Sequence, residues 1–254
     1  MAETVTQPPY QVLADIYDHI MTHVDYSRWA RYVRDLIRQC ASFEVEEVID
    51  LACGTASLTV ELDDLGYRMT GADLSEAMLR VGRKKAAAAG KTIPFLHRDL
   101  RRLNNVGSFD TAICMYDSIN YIVNSEDIER GLRSVYNVLR VGGLFIFDVC
   151  TEQNSLRHFS NLRDAGQGPG YTYDRSSTYD RENKMQFNDF AIRFTDDDVV
   201  WRESHAQRIY PLAEIEAQIR SSTFDLIDVY SGFTFNKGSE RSDRVHFALR
   251  RSAQ

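Results

Sequence analysis

Apolar residues recur at two different spacings along the chain, and each change of spacing marks the end of a predicted element. Near the N-terminus the spacing is helical in two stretches, at 13–24 and, after Asp25 as a cap, at 29–40. From residue 45 onward, short apolar runs alternate with helical periods. The pattern therefore predicts two helices followed by an alternating α/β segment.

This alternating segment predicts a parallel sheet. Its strands are expected at 45–51, 67–73, 92–98, 109–115 and 144–150, and its helices at 57–65, 76–89 and 125–139. Ser75 and Ser125 stand where two helix caps belong. A helix at 211–222 and strands at 224–230 and 243–250 follow near the end of the chain. Strands joined by helices indicate a doubly wound, mostly parallel, seven-stranded sheet of the Rossmann-like α/β class.

Residues 151–208 break this rhythm. They begin with a polar, glycine-rich stretch at 164–170 and continue with aromatic residues at strand spacing. The acidic run at 196–198 is typical of a hairpin turn. We therefore expect a small antiparallel β insertion between the two parts of the main sheet.

Composition excludes several classes of protein. The 254 residues are 43% hydrophobic, enough for a full core in one domain, and the net charge of -7 argues against a polyanion as the main partner. No apolar run approaches the roughly 20 residues of a membrane helix, and the first residues, expected to be a short disordered lead, lack a secretory signal. The four cysteines form no CxxC pair and the histidines no metal pattern, which favours free thiols in the cytoplasm and no metal.

The segment VIDLACGTAS, at 48–57, joins a predicted strand to a helix through a turn of small residues. A dinucleotide-binding loop would carry GxGxxG, but here Ala52 and Ala56 flank Gly54. Because alanine disfavours positive φ, we expect ordinary backbone angles at both alanines and a stiffer loop. A ligand without phosphates fits this loop better. Asp73, at the end of the next strand, can accept hydrogen bonds from both hydroxyls of a ribose, a feature that NAD would share.

Five segments together resemble the class I S-adenosylmethionine-dependent methyltransferases, and the resemblance extends from about Tyr10 to Arg250. They are VIDLACGTA (48–56), GADLSEAML (71–79), HRDL (97–100), YDSINYI (116–122) and LRVGGLFIFDV (139–149). With ADIYDHIM at 14–21, the chain is most similar to a bacterial small-molecule branch that includes sugar N,N-dimethyltransferases.

This resemblance implies S-adenosylmethionine as the cofactor and a contact set around it. Asp50 would hold the methionine amino group, Asp73 the ribose, and Asp99 the adenine amino group. The implied set is Tyr17, Tyr26, Trp29, Asp50, Ala52, Gly54, Asp73, Leu74, Asp99, Leu100 and Met115. Simpler interpretations stay open: loop caps for Asp50 and Asp73, a solvated charged turn for Asp99, and core packing for the aromatic residues.

The loop after the fourth strand would face the methyl group, so Tyr116, Asp117 and Tyr121 are the candidate catalytic residues, although a capped loop would also explain them. The general base could be Asp117, a tyrosine network or a histidine of the insertion. The resemblance implies three parts: an N-terminal helical lid at 1–44, a cofactor-binding domain at 45–150 and 209–254, and the substrate-side insertion at 151–208. Tyr171, Tyr173 and Trp201 of the insertion could line the acceptor pocket.

The expected reaction is methyl transfer to the N or O atom of a small molecule, by a monomer or homodimer. A transfer RNA methyltransferase is the alternative, but the insertion holds eight Lys or Arg against ten Asp or Glu, a balance of -2 that disfavours nucleic acid and favours an amine or neutral acceptor. A non-catalytic S-adenosylmethionine-binding module would be expected to have lost residues of the cofactor-binding loop at 48–57, but this loop is nearly complete. An NAD-dependent oxidoreductase would need the glycine pattern and a Tyr-x-x-x-Lys pair that the sequence lacks.

Overall fold

The computed structural model describes residues 3–252, which form two β-sheets and seven α-helices. One sheet contains β2 (Glu47–Leu51), β3 (Arg68–Asp73), β4 (Phe95–His97), β5 (Phe109–Cys114), β6 (Leu139–Cys150), β11 (Phe224–Ser231) and β12 (Arg244–Arg251). The other contains β1 (Glu3–Gln7), β7 (Asn161–Gly168), β8 (Tyr171–Asp180), β9 (Met185–Phe194) and β10 (Val199–Arg208). The helices are α1 (Tyr17–Ile20), α2 (Tyr26–Cys40), α3 (Ser57–Asp64), α4 (Glu76–Ala88), α5 (Ser125–Val138), α6 (Glu152–Asn154) and α7 (Leu212–Ser221).

The predicted seven-stranded sheet is confirmed. Its order is β11-β12-β6-β5-β2-β3-β4, and β12 alone runs against the other strands. Helices α2 and α3 pack on one face, and α5 and α7 on the other. Because the parallel strands all end at one edge, the loops after β2, β3, β4 and β5 meet there.

Three helix starts test the capping predictions. The Asp25 side chain accepts a hydrogen bond from the Arg28 backbone N–H at 2.8 Å, as expected of the cap of α2. Ser75 caps α4 in the same way. The prediction for Ser125 is wrong: Asn124 occupies the cap position of α5, and the Ser125 hydroxyl donates to Glu214 instead.

The expectation of a disordered lead is also wrong. Residues 3–7 form β1, which pairs in parallel with β10, so the N-terminus joins the sheet of the insertion. The helix predicted at 13–24 is broken into a 3-10 turn at Leu13–Asp15 and the short α1. Ile16 separates the two pieces, with a φ of -116° that departs from helical geometry. At the start of the segment, the buried carboxylate of Glu203 in β10 accepts from the backbone N–H groups of Tyr10, Val12 and Leu13 and so fixes where the first turn begins.

The four strands β7 to β10 form the expected antiparallel insertion, with its last hairpin at 195–198. The residues predicted at 1–44 as a lid divide into three parts: β1, a segment at 8–25, and α2. Seven residues of α2 are buried against the main sheet, so this helix belongs to its core. None of the helices within residues 3–252 is long and apolar enough to cross a membrane. All four cysteines are free.

Candidate active site

A cavity of about 740 Å³ lies between the strand ends of the seven-stranded sheet, the inner face of the five-stranded sheet and the segment at 8–25. The structure brings every residue of the implied cofactor-binding set and all three candidate catalytic residues to its wall. These are Tyr17, Tyr26, Trp29, Asp50, Ala52, Gly54, Asp73, Leu74, Asp99, Leu100, Met115, Tyr116, Asp117 and Tyr121. Residues far apart in the chain therefore share one enclosed space.

The loop after β2 turns through three left-handed residues. Ala52, Gly54 and Ala56 have φ of 58°, 55° and 63°, so the expectation that alanine keeps ordinary angles here is wrong. Each alanine stores strain on the order of 1 kcal/mol, which the surrounding packing must hold. A Cβ at Gly54 would meet nothing within 4 Å, because this part of the loop borders the cavity. At Gly82 of α4, by contrast, a Cβ would lie 3.1 Å from that of Ala56, so the helix can pack closely on the loop.

Asp50, at the end of β2, is 2% exposed and accepts a hydrogen bond from the Thr59 hydroxyl at 2.7 Å. Burial raises the pKa of its carboxyl to about 7; the Thr59 bond opposes this shift and the nearby Asp73 adds to it. Among residues 3–252, Thr59 is the one group that donates to this carboxylate. A ligand ammonium would supply the missing positive charge, so Asp50 fits its predicted role.

Asp73, at the end of β3, fixes the neighbouring loop. Its two carboxylate oxygens accept from the backbone N–H groups of Gly54 and Ser75, at 2.8 and 2.7 Å. Burial raises the pKa of this carboxyl, against those N–H bonds. Each oxygen retains a lone pair for a ribose hydroxyl. The adjacent Leu74 is 63% exposed and offers an apolar surface for a flat ring.

Asp99 lines the cavity, but its carboxylate is engaged. The Arg101 guanidinium and backbone N–H make bonds of 2.6 to 3.0 Å with both oxygens. The contact of Asp99 with an adenine amino group stays a prediction, and it would have to share the carboxylate with Arg101. The physical reason is local: Arg101 lies two residues away and also pairs with Asp127, which holds it in place.

The loop after β5 is held by Arg244 of β12. Its guanidinium pairs with Asp117 at 2.7 Å and with the buried Asp148, and it lies 5.2 and 5.0 Å from the ring centres of Trp29 and Tyr116. The second Asp117 oxygen accepts from Gln207 at 2.6 Å. Asp117 is thus not a free base, and Trp29 already stacks on a cation of the protein.

Both Tyr116 and Asp117 have positive φ, at 65° and 51°. Consecutive left-handed residues with side chains are costly and persist only where their surroundings hold them. The backbone N–H of Asp117 donates to Asp148 at 3.0 Å, so this bond and the ion pair with Arg244 together hold the loop. The strained backbone presents this loop to the cavity.

A chain of hydrogen bonds connects this loop to the insertion. The hydroxyls of Tyr10 and Tyr121 lie 2.6 Å apart, Tyr121 lies 3.3 Å from Nδ1 of His205, and Nε2 of His205 lies 3.1 Å from Glu203. Because a carboxylate only accepts, Nε2 carries the proton and Nδ1 accepts from Tyr121. The donors therefore all point toward Glu203.

The charges along this chain follow from burial and bonding. Burial raises the pKa values of Tyr10 and Tyr121 well above the ordinary value. At Glu203, burial acts to raise the pKa, but bonds from His205 and from the Leu13 and Val12 N–H groups outweigh it and lower the pKa. Glu203 is thus a buried, ionised carboxylate beside a histidine.

Sequence reasoning did not single out Tyr10 and Glu203. The available signal was the spacing of Glu203 and His205, which puts both side chains on one face of a predicted strand. The expectation that Tyr171, Tyr173 and Trp201 line the cavity is wrong. They pack with Leu13, Ile16 and Ile192 in a small apolar core under the N-terminal segment. Polar residues of the same sheet line the cavity instead: Arg175, Gln186, Asn188, His205 and Gln207.

The segment at 8–25 covers the cavity and is held by hydrogen bonds to the loops after β2 and β3. Asp18 accepts from the Thr55 hydroxyl at 2.6 Å and pairs with Lys85 at 2.8 Å. The Ser75 hydroxyl donates to the Tyr10 carbonyl at 3.0 Å. These contacts join the segment to both loops that hold the predicted cofactor.

Comparisons with known proteins show which chains this one is similar to. A family model described as a methyltransferase domain matches residues 48–143. One relative is the YqeM protein of Bacillus subtilis (strain 168), whose name marks its methyltransferase assignment as provisional. It is 29% identical over 246 residues, and the match covers 96% of this chain and 97% of YqeM.

Two solved structures are also similar. One is an S-adenosylmethionine-dependent methyltransferase from Clostridium acetobutylicum ATCC 824, with a TM-score of 0.80, 25% identity, and coverage of 96% of this chain and 99% of its own. The other is the sugar N-methyltransferase KedS8 from Streptoalloteichus sp ATCC 53650, with a TM-score of 0.76, 20% identity, and coverage of 94% and 92%. The second likeness is one of fold.

Proposed function

This chain is an S-adenosylmethionine-dependent methyltransferase that resembles the class I small-molecule branch, and from that premise we propose that it methylates the N or O atom of a small-molecule acceptor. The acceptor would bind between the loop at 116–121 and the inner face of the five-stranded sheet. The observation that carries this proposal is the polar, covered wall on that side of the cavity. Its lining of amide, imidazole and guanidinium groups can orient a polar molecule.

Size and charge support a small acceptor. A cavity of about 740 Å³ is in the range of pockets that enclose small molecules, on the order of 300 to 1,000 Å³. The segment at 8–25 covers it, whereas an RNA substrate needs an open basic platform with stacking aromatics. The insertion's net charge of -2 also favours a small acceptor over RNA.

We further propose which residues hold the cofactor. Asp50 would bind the amino group of the methionine part, the backbone around Gly54 would pass along its tail, and Asp73 with Leu74 would hold the adenosine. When bound, S-adenosylmethionine supplies a methyl group activated by its sulfonium. The protein's task is to hold the acceptor in line, exclude water and manage the acceptor's proton.

The hydrogen-bonded chain from Tyr10 to Glu203 is our candidate for that last task. An acceptor hydroxyl or ammonium would donate its hydrogen to the Tyr10 oxygen, the Tyr10 hydrogen would pass to Tyr121, and the Tyr121 hydrogen would pass to Nδ1 of His205. The imidazolium so formed lies beside the ionised Glu203. Both tyrosines end uncharged, which suits their high pKa values. In this assignment Asp117 positions the loop through Arg244 and is not the base.

The proposal is tested by an acceptor screen. The full chain is incubated with S-adenosylmethionine and panels of amines, amino sugars, phenols and transfer RNA, and the demethylated cofactor is measured. Amino sugars are included because the fold matches that of a sugar N-methyltransferase. We expect turnover in at least one small-molecule panel. Turnover confined to transfer RNA would overturn the proposal in favour of the nucleic-acid alternative.

A further inference from the structure

Arg175 of β8 faces the cavity without an acidic partner. Among residues 3–252, no Asp or Glu oxygen lies within 4.0 Å of its guanidinium. One Nη donates to the Asn188 side-chain oxygen at 2.9 Å, and the buried Nε has no hydrogen-bond partner in the described part of the chain. A half-buried positive charge with an unused donor therefore lines the cavity.

Three other arginines line the cavity wall. Arg98 is exposed and donates to the His97 carbonyl, so water can hydrate its charge. Arg101 and Arg244 each lie between two carboxylates. The partners are Asp99 and Asp127 for Arg101, and Asp117 and Asp148 for Arg244. Taking a guanidinium out of water is costly unless a counter-charge compensates for the lost hydration. At Arg175 the described part of the chain provides no such charge, so we look to a ligand as its source.

The surroundings of Arg175 bury its Nε but leave one Nη accessible and without a hydrogen-bond partner among residues 3–252. The Phe159 and Phe190 ring centres lie 5.5 Å from its central carbon and shield it from water. The oxygen of Asn188 accepts from both Arg175 and Ser177, at 2.9 and 2.6 Å, which fixes the orientation of this amide. The Asn188 amide N–H groups thus remain as further donors at the same wall. In-plane N–H donors are typical of sites that bind carboxylate or phosphate oxygens.

From this geometry we propose that the methyl acceptor carries an anionic oxygen group, a carboxylate or a phosphate, that binds to Arg175 and Asn188. This inference rests on the proposed small-molecule function and narrows its substrate class. The positive charge of Arg175 also reaches Tyr121, where it opposes the burial that raises the tyrosine's pKa. The anion would therefore bind near the loop at 116–121. A small molecule with one anionic group and a nucleophilic N or O remains compatible with the insertion's net charge of -2, which disfavours polyanions.

A matched acceptor series tests the inference. Small amines and alcohols are compared in three forms, with no anion, with a carboxylate and with a phosphate ester, so the series also distinguishes the two anions. We expect turnover to favour an anionic form. Arg175→Met should then raise the KM for that form about tenfold to a hundredfold, as for loss of a charge-assisted hydrogen bond, and Arg175→Lys should recover part of it. Arg193→Met is the matched control, since it removes an exposed arginine from the same sheet.

Ligand-free unfolding gives a second measurement, independent of any acceptor. Sodium acetate and sodium phosphate should raise the Tm of the wild type and of Arg193→Met above that in sodium chloride of equal ionic strength, but not the Tm of Arg175→Met. In plain buffer Arg175→Met should melt no lower than the wild type, because it removes an uncompensated charge.

The outcomes separate this inference from the proposed function. If neutral acceptors react at least as well as anionic ones and Arg175→Met leaves their KM ratio unchanged, the anion site is refuted while the small-molecule function stands. If only transfer RNA reacts, the proposed function itself fails. A large loss of Tm in Arg175→Met in plain buffer would show a structural role instead and would also refute the site.

Discussion

Asp50 makes cofactor affinity depend on pH near neutrality. The pKa of this buried carboxyl is raised from 3.8 to about 7, mainly by burial. A bound ammonium requires the ionised form, which forms about one tenth of the ligand-free protein at pH 6 and about one hundredth at pH 5. We therefore expect the Kd of S-adenosylhomocysteine, the demethylated cofactor, to be about tenfold higher at pH 6 than at pH 8, and about a hundredfold higher at pH 5.

The same shift acts on stability with a defined sign. Because the folded state binds this proton more tightly than the unfolded state, Asp50 costs the ligand-free protein stability as the pH rises from about 4 through about 7. Three pKa units correspond to about 4 kcal/mol at most. Asp50→Asn removes that cost, so the ligand-free variant should have a higher Tm than the wild type at pH 8 while binding the cofactor weakly at every pH.

Isothermal titration calorimetry between pH 5 and 8 measures the dependence. Adenosine is the matched ligand. It lacks the amino group of the amino-acid part of S-adenosylhomocysteine, so its Kd should show no such dependence on pH. Thr59→Val removes the bond that lowers the pKa of Asp50, so it should move the midpoint to higher pH. A wild-type Kd that stays constant from pH 5 to 8, or an unchanged slope in Asp50→Asn, would contradict the assignment of Asp50 to the ammonium.

Two further predictions concern the other wall residues. Asp73→Ala should weaken S-adenosylhomocysteine binding at least about tenfold in calorimetry, because it removes charge-assisted hydrogen bonds that contribute about 1.5 to 3 kcal/mol each. Asp64→Asn, at an exposed position, is the control and should bind normally. Equal affinities for the two variants would mean that the ribose is held elsewhere. His205→Gln should lower kcat by about 100-fold or more, because the proton chain then lacks its terminal base. Its control is Tyr179→Phe, outside the cavity, and a kcat of His205→Gln equal to that of the wild type would refute the relay.

The main sheet was predictable because its signals are local. Each strand end or helix start needs only its own neighbours in sequence, as the cap at Asp25 illustrates. The positions of Asp50 and Asp73 at the cavity wall followed from one further rule, that parallel strands end at the same edge. Ser125 shows how such reasoning fails: Asn124 occupies the cap position, without a side-chain cap bond, while the Ser125 hydroxyl donates to Glu214, a residue far away in the chain.

The N-terminal segment depended on a distant partner. Residues 3–7 have no apolar pattern of a core strand, yet they form β1 because β10 offers a free edge. Glu203 then accepts from the backbone N–H groups of Tyr10, Val12 and Leu13, which have no partner within the first helical turn. A sequence pattern reports how a segment can bury its own side chains, but not which distant carboxylate will satisfy its backbone.

The sequence by itself determined the fold class, the edge at which ligands bind and the acidic residues gathered there, since hydrophobic periodicity and strand direction encode all three. Tertiary structure decided which charges far apart in the chain meet. Asp117 is neutralised by Arg244 of β12, while Arg175 has no acid beside it among residues 3–252. The state of a charged group depends on burial and on partners within a few ångströms, and folding brings most of those partners from elsewhere in the chain.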